Sequence, residues 1–167
     1  MATDIQKHFK EKNAEYASTF TQGHLALPPA KKYLIVTCMD ARIDPAAAFG
    51  IAPGDAHVVR NAGGSARDAL RSVLVSQLLL GTREVLVVKH TGCGMLTFGN
   101  ADARRLLAQH RGDAVAGLDF LPFADLDAAV RDDVDFLRSR DAAAADPQVP
   151  VTGWVYDVQT GRVRQVV

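Results

Sequence analysis

Three mainly apolar runs lie between residues 33 and 89, and each ends at a polar or glycine-rich segment. They cover residues 33–37, 56–60 and 84–89 and are rich in β-branched side chains. An apolar run of this length without strict alternation is typical of a strand that is buried on both faces. The pattern predicts three short strands, of which the first and third are the most completely buried.

Around these runs, apolar residues recur with helical spacing. Helices are predicted over residues 3–18, 65–80, 100–110 and 125–140, with a short helical turn that Asp44 caps and Pro45 begins. Residues 65–80 should bury Leu70, Val73, Leu74, Gln77 and Leu78, and residues 125–140 should bury Leu126, Val130, Val134 and Leu137. Residues 111–122 are expected to be irregular and 146–150 to form a connector. Residues 151–157 and 162–167 are predicted to form a terminal hairpin.

Alternating strands and helices indicate an α/β fold with a mostly parallel sheet flanked by helices. The length of 167 residues suits one domain, with an α/β core over 31–167 and an N-terminal helix and linker over 1–30. This first helix has few apolar residues, so we expect it to lie over another subunit rather than over its own core. Ligands in such folds bind beyond the carboxyl ends of the parallel strands.

Composition excludes several function classes. Lys plus Arg number 19 and Asp plus Glu number 19, so the net charge of zero gives no basis for binding nucleic acid or an anionic membrane. The first 16 residues have no apolar core of a secretory signal, and no apolar stretch approaches the roughly 20 residues of a membrane span. We therefore expect a soluble, cytoplasmic protein.

The two cysteines follow two of the buried strands. Cys38 is followed by Asp40 and Arg42, and taken alone this segment favours a buried thiol beside a surface ion pair. His90 and Cys93 lie in a glycine-rich turn, where a metal site and a loop histidine near a core thiol are equally compatible with the sequence. Cys–His nucleophilic catalysis, a disulfide and two inert thiols are further alternatives.

Cys38, His90 and Cys93 together indicate a metal site more strongly than either segment does alone. Two thiols and one imidazole at the ends of two parallel strands match a catalytic zinc site that leaves the fourth position for water, or here for Asp40. No further cysteine is available to close the site. The other histidines, His8, His24, His57 and His110, have no second ligand at a suitable spacing. Gly63 and Gly64 either bring backbone close to this site or simply form a turn before a helix.

Three motifs resemble the β-class carbonic anhydrase family. They are Cys38-Met39-Asp40-Ala41-Arg42, Val59-Arg60-Asn61-Ala62-Gly63-Gly64 and His90-Thr91-Gly92-Cys93-Gly94-Met95. Their order and spacing agree with the family over residues 33–98, and the chain resembles a short, compact member. It departs from many relatives at Gly92, where they carry a polar or acidic residue.

The resemblance implies one zinc ion per chain, held by Cys38, His90 and Cys93. Arg42 would hold the carboxylate of Asp40, which would orient the zinc-bound water or, in a closed state, bind zinc itself as the fourth ligand. It further implies a homodimer or a dimer of dimers, whose N-terminal helices reach across to the partner. The implied activity is that of a lyase, carbonate dehydratase, in which zinc-bound hydroxide attacks carbon dioxide to give bicarbonate and a proton.

Two other functions fit the same residues. Close relatives in the family hydrolyse carbonyl sulfide or carbon disulfide on the same metal set, so the motifs do not choose between these substrates. A non-catalytic zinc-binding or regulatory protein is the alternative from another class. Asp40 and Arg42 argue against it, because a purely structural zinc site needs neither residue.

Overall fold

The computed structural model describes residues 1–111, 117–139 and 148–167, and the strands among them form one five-stranded sheet. The strands are β1 Tyr33–Cys38, β2 Ala56–Asn61, β3 Glu84–His90, β4 Val151–Tyr156 and β5 Val163–Gln165. Their order in the sheet is β2-β1-β3-β4-β5; the first four are parallel, and β5 is antiparallel to β4. The predicted α/β fold and the terminal hairpin are confirmed.

Five helices accompany the sheet in the described part of the chain. They are α1 Asp4–Ser18, α2 Pro45–Phe49, α3 Ala66–Leu74, α4 Asn100–Arg111 and α5 Leu126–Arg138. The predicted caps are present, because the side chain of Asp44 accepts from the first amides of α2 and that of Ser65 from the amide of Asp68 in α3. Three predictions fall partly outside the described residues: the irregular stretch 111–122, the helix end at residue 140 and the connector 146–150.

The helix predicted over residues 65–80 is present, but its last turn is not α-helical. α3 ends at Leu74 and continues as one π-helical turn, Val75–Leu79. A π turn contains an extra residue, which rotates the following side chains by about 100° relative to an α-helix. Gln77 is buried as predicted, but Ser76 is buried as well, and Leu78, predicted to be buried, is 61% exposed.

The main core lies between one face of the sheet and helices α3 and α5. Leu34, Val36, Val85 and Val87 point to this face and pack with buried residues of both helices, which are Ala66, Ala69, Val73, Val134 and Leu137. Gly153 of β4 lets α5 approach closely, because a Cβ at this position would overlap the side chain of Val130. Helix α5 is thereby held against the middle of β4.

The opposite face of the sheet is only partly covered. Tyr33, Ile35, Leu86, Val88 and Trp154 line a largely apolar groove of about 590 Å³ on this face. Helix α1 does not fill it from within the chain, since none of the residues of α1 is buried.

No helix in the described ranges is both long enough and apolar enough to cross a lipid bilayer.

Candidate metal centre

The carboxyl ends of the central strands β1 and β3 bring the three predicted ligands together. Cys38 is the last residue of β1, His90 is the last residue of β3, and Cys93 immediately precedes a 3₁₀ turn, Gly94–Leu96. All three are buried, and one ligand atom from each lies within 4.8 Å of the others. The predicted convergence of two thiols and one imidazole is thus present in the fold.

The imidazole of His90 is oriented for a ligand. Its Nδ1 lies 3.0 Å from the carbonyl oxygen of Thr91, a contact that fixes the proton on Nδ1 and leaves Nε2 with a free lone pair. Nε2 is buried and has no hydrogen-bond partner among the described residues. A buried polar atom without a partner is costly unless something else binds it, and a metal ion at this position would do so.

The two thiols are free, and their sulfur atoms lie 4.0 Å apart. That separation is well beyond the roughly 2.05 Å of a disulfide bond. It suits two thiolates that share one zinc ion, because Zn–S bonds of about 2.3 Å in a tetrahedral site hold the sulfurs apart by a comparable distance. The donor set therefore fits zinc.

Proton sharing makes the two thiols unequal. The hydrogen bond with Cys93 lowers the pKa of the Cys38 thiol, assisted by His90 and by the backbone amides of Asp40 and Gly63. The same hydrogen bond with Cys38, together with burial, raises the pKa of the Cys93 thiol. The Cys38 thiolate thus forms readily and accepts a hydrogen bond from the Cys93 thiol, and a bound cation would be needed to deprotonate both.

Asp40 lies beside the three ligands and is held by Arg42. The guanidinium donates to both carboxylate oxygens, at 2.9 Å to Oδ1 and 2.7 Å to Oδ2, and the backbone amide of Arg42 donates to Oδ1. These contacts hold the pKa of Asp40 well below its usual range. Its Oδ2 lies 3.6 Å from Nε2 of His90, so an ionised carboxylate faces the site.

Two arginines fix the loop that carries Asp40. Arg42 also donates to the carbonyl oxygen of Gly92, at 2.9 Å, and so links this loop to the turn that contains Cys93. Arg60 donates to the carbonyl oxygens of Cys38 and Asp40, at 3.0 and 2.7 Å. Arg60 belongs to one of the three family motifs, but its contacts were not predictable from the spacing of the sequence.

The Gly63–Gly64 turn does approach the site, which decides between the two alternatives for these glycines. Gly64 has φ of +60°, and a Cβ there would lie 3.0 to 3.2 Å from backbone atoms of Thr37 and Cys38. Only glycine combines this left-handed backbone with so close an approach. The turn is therefore packed against the backbone of a candidate metal ligand.

A buried ion pair that was not predicted from the sequence lies beside this turn. Lys89 precedes His90 on β3, and its Nζ lies 2.8 Å from Oδ2 of Asp133 on α5. A signal was present, because Lys89 ends an apolar strand run and Asp133 interrupts the apolar face between Val130 and Val134.

The wall of the site is apolar. Cys38 and Cys93 form a buried cluster with Ile43 and Met95. Partly buried side chains pack around it: Phe49, Leu96, Phe98, Phe123 and Tyr156. Such a wall suits a small uncharged substrate and strengthens the electrostatic interactions inside the site.

The other four histidines do not join the metal-binding group found among the described residues. His57 is partly buried, with Nδ1 2.7 Å from Oγ of Ser76, as expected for a histidine with a local partner. His8, His24 and His110 are exposed.

Comparisons with known proteins agree with this geometry. A family model described as carbonic anhydrase matches residues 33–163. β-Carbonic anhydrase 1 of Mycobacterium bovis is 41% identical over 159 residues, covering 92% of this chain and 93% of the relative. A carbon disulfide hydrolase of an Acidianus species is 34% identical over 175 residues, covering 90% and 83%. The solved carbonic anhydrase of Glaciozyma antarctica superposes with a TM-score of 0.90 at 42% identity, covering all of both chains.

Proposed function

The chain belongs to the β-class carbonic anhydrase family, and from this premise we propose that it catalyses the reversible hydration of carbon dioxide to bicarbonate and a proton. Carbonic anhydrases of this class are zinc lyases, and the cysteine–histidine–cysteine group of this chain suits that cofactor. The observation that carries the proposal is the unpartnered Nε2 of His90, which lies between two free thiols and an ionised carboxylate.

In the proposed site, Cys38, His90 and Cys93 hold the zinc ion. Zinc in such a site lowers the pKa of a bound water, to about 7 where three histidines are the ligands and to a higher value where two thiolates add negative charge. Asp40 accepts a hydrogen bond from the nucleophilic water and so aims its remaining lone pair at the carbon of the substrate. Arg42 keeps that carboxylate ionised and in place through its two side-chain hydrogen bonds.

Hydrolysis of carbon disulfide or carbonyl sulfide is the second candidate. Its support is the carbon disulfide hydrolase that is 34% identical to this chain. The metal ligands alone do not choose between the substrates, because all are small linear molecules with an electrophilic carbon. The non-catalytic alternative is weaker, because the paired Asp40 and Arg42 face the ligands without contributing to a closed structural zinc site.

Stopped-flow assays with and without zinc test the function. Protein treated with a chelator should lose carbon dioxide hydration to the buffer background, and stoichiometric zinc should restore it. Hydrogen sulfide release from carbon disulfide and carbonyl sulfide is measured on the same samples and should stay at the blank rate. Faster sulfide release than hydration would favour the second candidate, and inactivity toward all three substrates would favour a non-catalytic zinc protein.

We propose a homodimer in which α1 of each chain, within the arm of residues 1–30, lies in the apolar groove of its partner. Ile5, Phe9 and Tyr16 lie on one face of α1, and 80%, 72% and 59% of their surfaces are exposed within one chain. The groove beside Trp154 offers an apolar surface of matching character. Burial of these side chains in a partner accounts for a helix that contributes nothing to its own core, and two such dimers can pair further.

Phe9→Glu should weaken this dimer at least about 10-fold, because burial of a phenylalanine contributes about 1.5–3 kcal/mol and each 1.4 kcal/mol is a factor of ten in affinity. Sedimentation equilibrium measures the dissociation constant. Glu11→Lys, which changes charge on the opposite side of α1, is the matched control and should leave the dimer intact. A Phe9→Glu protein that dimerises as tightly as the unmodified chain would contradict the proposed role of α1.

A cytoplasmic location stays a sequence-based prediction, which fractionation of the source cells tests.

A further inference from the structure

The ion pair of Lys89 and Asp133 is almost completely buried. The two residues are 2% and 6% exposed, and the atoms Nζ and Oδ2 are 2.8 Å apart. Burying two charges is expensive, and apolar residues of similar volume often replace such a pair without loss of stability. Stability alone therefore does not explain a salt bridge at this place.

The hydrogen bonds of the pair lead to the glycine turn beside the metal centre. Nζ of Lys89 donates to the carbonyl oxygens of Gly63 and Gly64, at 3.0 and 3.4 Å. Oδ2 of Asp133 accepts from the first amide of α3, that of Ala66, at 3.1 Å. The segment that joins β2 to α3 is thus bonded at its glycine turn to Lys89 of β3 and at the start of α3 to Asp133 of α5.

The same turn fills the space between the two cysteine-bearing segments. On one side, Gly64 touches the backbone of Thr37 and Cys38 so closely that a Cβ has no room. On the other side, Gly63 packs against Met95, two residues after Cys93, where a Cβ would lie 2.9 Å from Cγ of Met95. A displacement of the turn would therefore move both thiols.

Nζ of Lys89 also lies 4.9 Å from the centre of the Phe123 ring. The same ring packs against Gly63, where a Cβ would lie 3.2 Å from Cε1 of Phe123. The ammonium group is thus enclosed by a carboxylate, two carbonyl oxygens and an aromatic face. Each of these contacts favours a cation at one position.

We propose that Lys89 and Asp133 are a positioning pair that holds the Gly63–Gly64 turn against Cys38 and thereby sets the distance between the two thiolates. The inference rests on the proposed zinc-dependent function and deepens it. Neither residue touches the substrate. Their role resembles that of partners outside the metal coordination sphere, whose loss typically costs about 10- to 100-fold in metal affinity or activity.

The experiment removes both charges together. Lys89→Met/Asp133→Leu leaves no unpaired buried charge, so the protein should fold, as judged by circular dichroism and thermal unfolding. We expect its zinc dissociation constant, measured by chelator competition, to rise about 10- to 100-fold. The thiolate-to-metal bands of the cobalt-substituted protein should shift, and kcat should fall while KM changes little.

Two further variants complete the test. Gly64→Ala keeps both charges and pushes the turn away from Cys38. It should therefore shift the cobalt bands in the same direction as the double variant. If the double variant does not fold, Gly64→Ala still tests whether the position of the turn affects the metal site. Asp127→Asn/Arg164→Gln removes an exposed ion pair that is also anchored on α5, and it should leave every readout unchanged.

The outcomes distinguish a failure of the positioning role from a failure of the proposed function. If the double variant or Gly64→Ala binds zinc within twofold of the unmodified protein and has the same cobalt spectrum, the positioning role is overturned and the pair only supports the fold. If the unmodified protein binds zinc but does not hydrate carbon dioxide, the proposed function fails, while metal affinity and spectrum still test the positioning role.

Discussion

Cys93→Ser is expected to abolish zinc retention and, with it, carbon dioxide hydration. Its thiol is one of three ligand atoms within 4.8 Å of each other. A serine hydroxyl is not deprotonated at neutral pH and is a much poorer zinc ligand than a thiolate. The loss of activity should exceed the roughly 100-fold that the loss of an outer partner costs, because the ion itself is lost. Elemental analysis of the purified variant gives zinc per chain, and stopped-flow assays give the hydration rate.

The control for this variant separates metal loss from damage to the core. Cys93 is 3% exposed, so serine also places a hydroxyl in an apolar cluster. Val155→Thr introduces a comparable buried hydroxyl on β4 and should keep both zinc and activity. A Cys93→Ser protein that retains one zinc per chain and most of its activity would show that Cys93 is not a ligand.

The sequence was sufficient to predict the strands and the cluster of ligand residues for one physical reason. The middle residues of β1 and β3 are largely buried, so residues 34–36 and 85–88 are unbroken apolar runs, which are easy to recognise. The pattern placed Cys38 and His90 at the carboxyl ends of parallel strands, which lie at the same edge of a sheet. The strand order, which makes β1 and β3 direct neighbours and brings the two residues together, was not predicted.

The features that sequence reasoning missed depend on contacts between remote segments. Lys89 and Asp133 are 44 positions apart by their residue numbers, and neither belongs to a local pattern that specifies a partner. The π turn at Val75–Leu79 has no local signal, because residues 65–80 keep an apolar spacing that an ordinary helix would also satisfy. Backbone geometry and burial were needed to find both.

The charges around the site explain why the thiolates and Asp40 have different roles. Two thiolates balance a divalent cation, and Arg42 balances Asp40, so the proposed loaded site is close to neutral before water ionises. Asp40 is consequently free to accept a hydrogen bond rather than to compensate the metal. The same carboxylate can compete for the fourth position, because its Oδ2 already lies 3.6 Å from Nε2 of His90.

Asp40→Asn is expected to lower kcat/KM for hydration on the order of 100-fold, the scale of a lost general acid–base group. The amide is nearly isosteric but carries no charge, so it accepts a weaker hydrogen bond from the nucleophilic water and binds zinc poorly. Asp44→Asn is the matched control, since asparagine caps α2 as well as aspartate does and the change removes a nearby carboxylate. It should leave the rate unchanged.

The pH profile distinguishes the role of Asp40 from a general loss of activity. Because Arg42 holds the pKa of Asp40 well below its usual range, the carboxylate is ionised at neutral pH, and its contribution is lost only as pH falls through that lowered pKa. If Asp40 also closes the site by binding zinc, activity of the unmodified protein should rise with pH more steeply than one ionisation allows. Asp40→Asn should reduce this steepness to that of a single ionisation. A variant with full activity and the same profile would remove Asp40 from the mechanism.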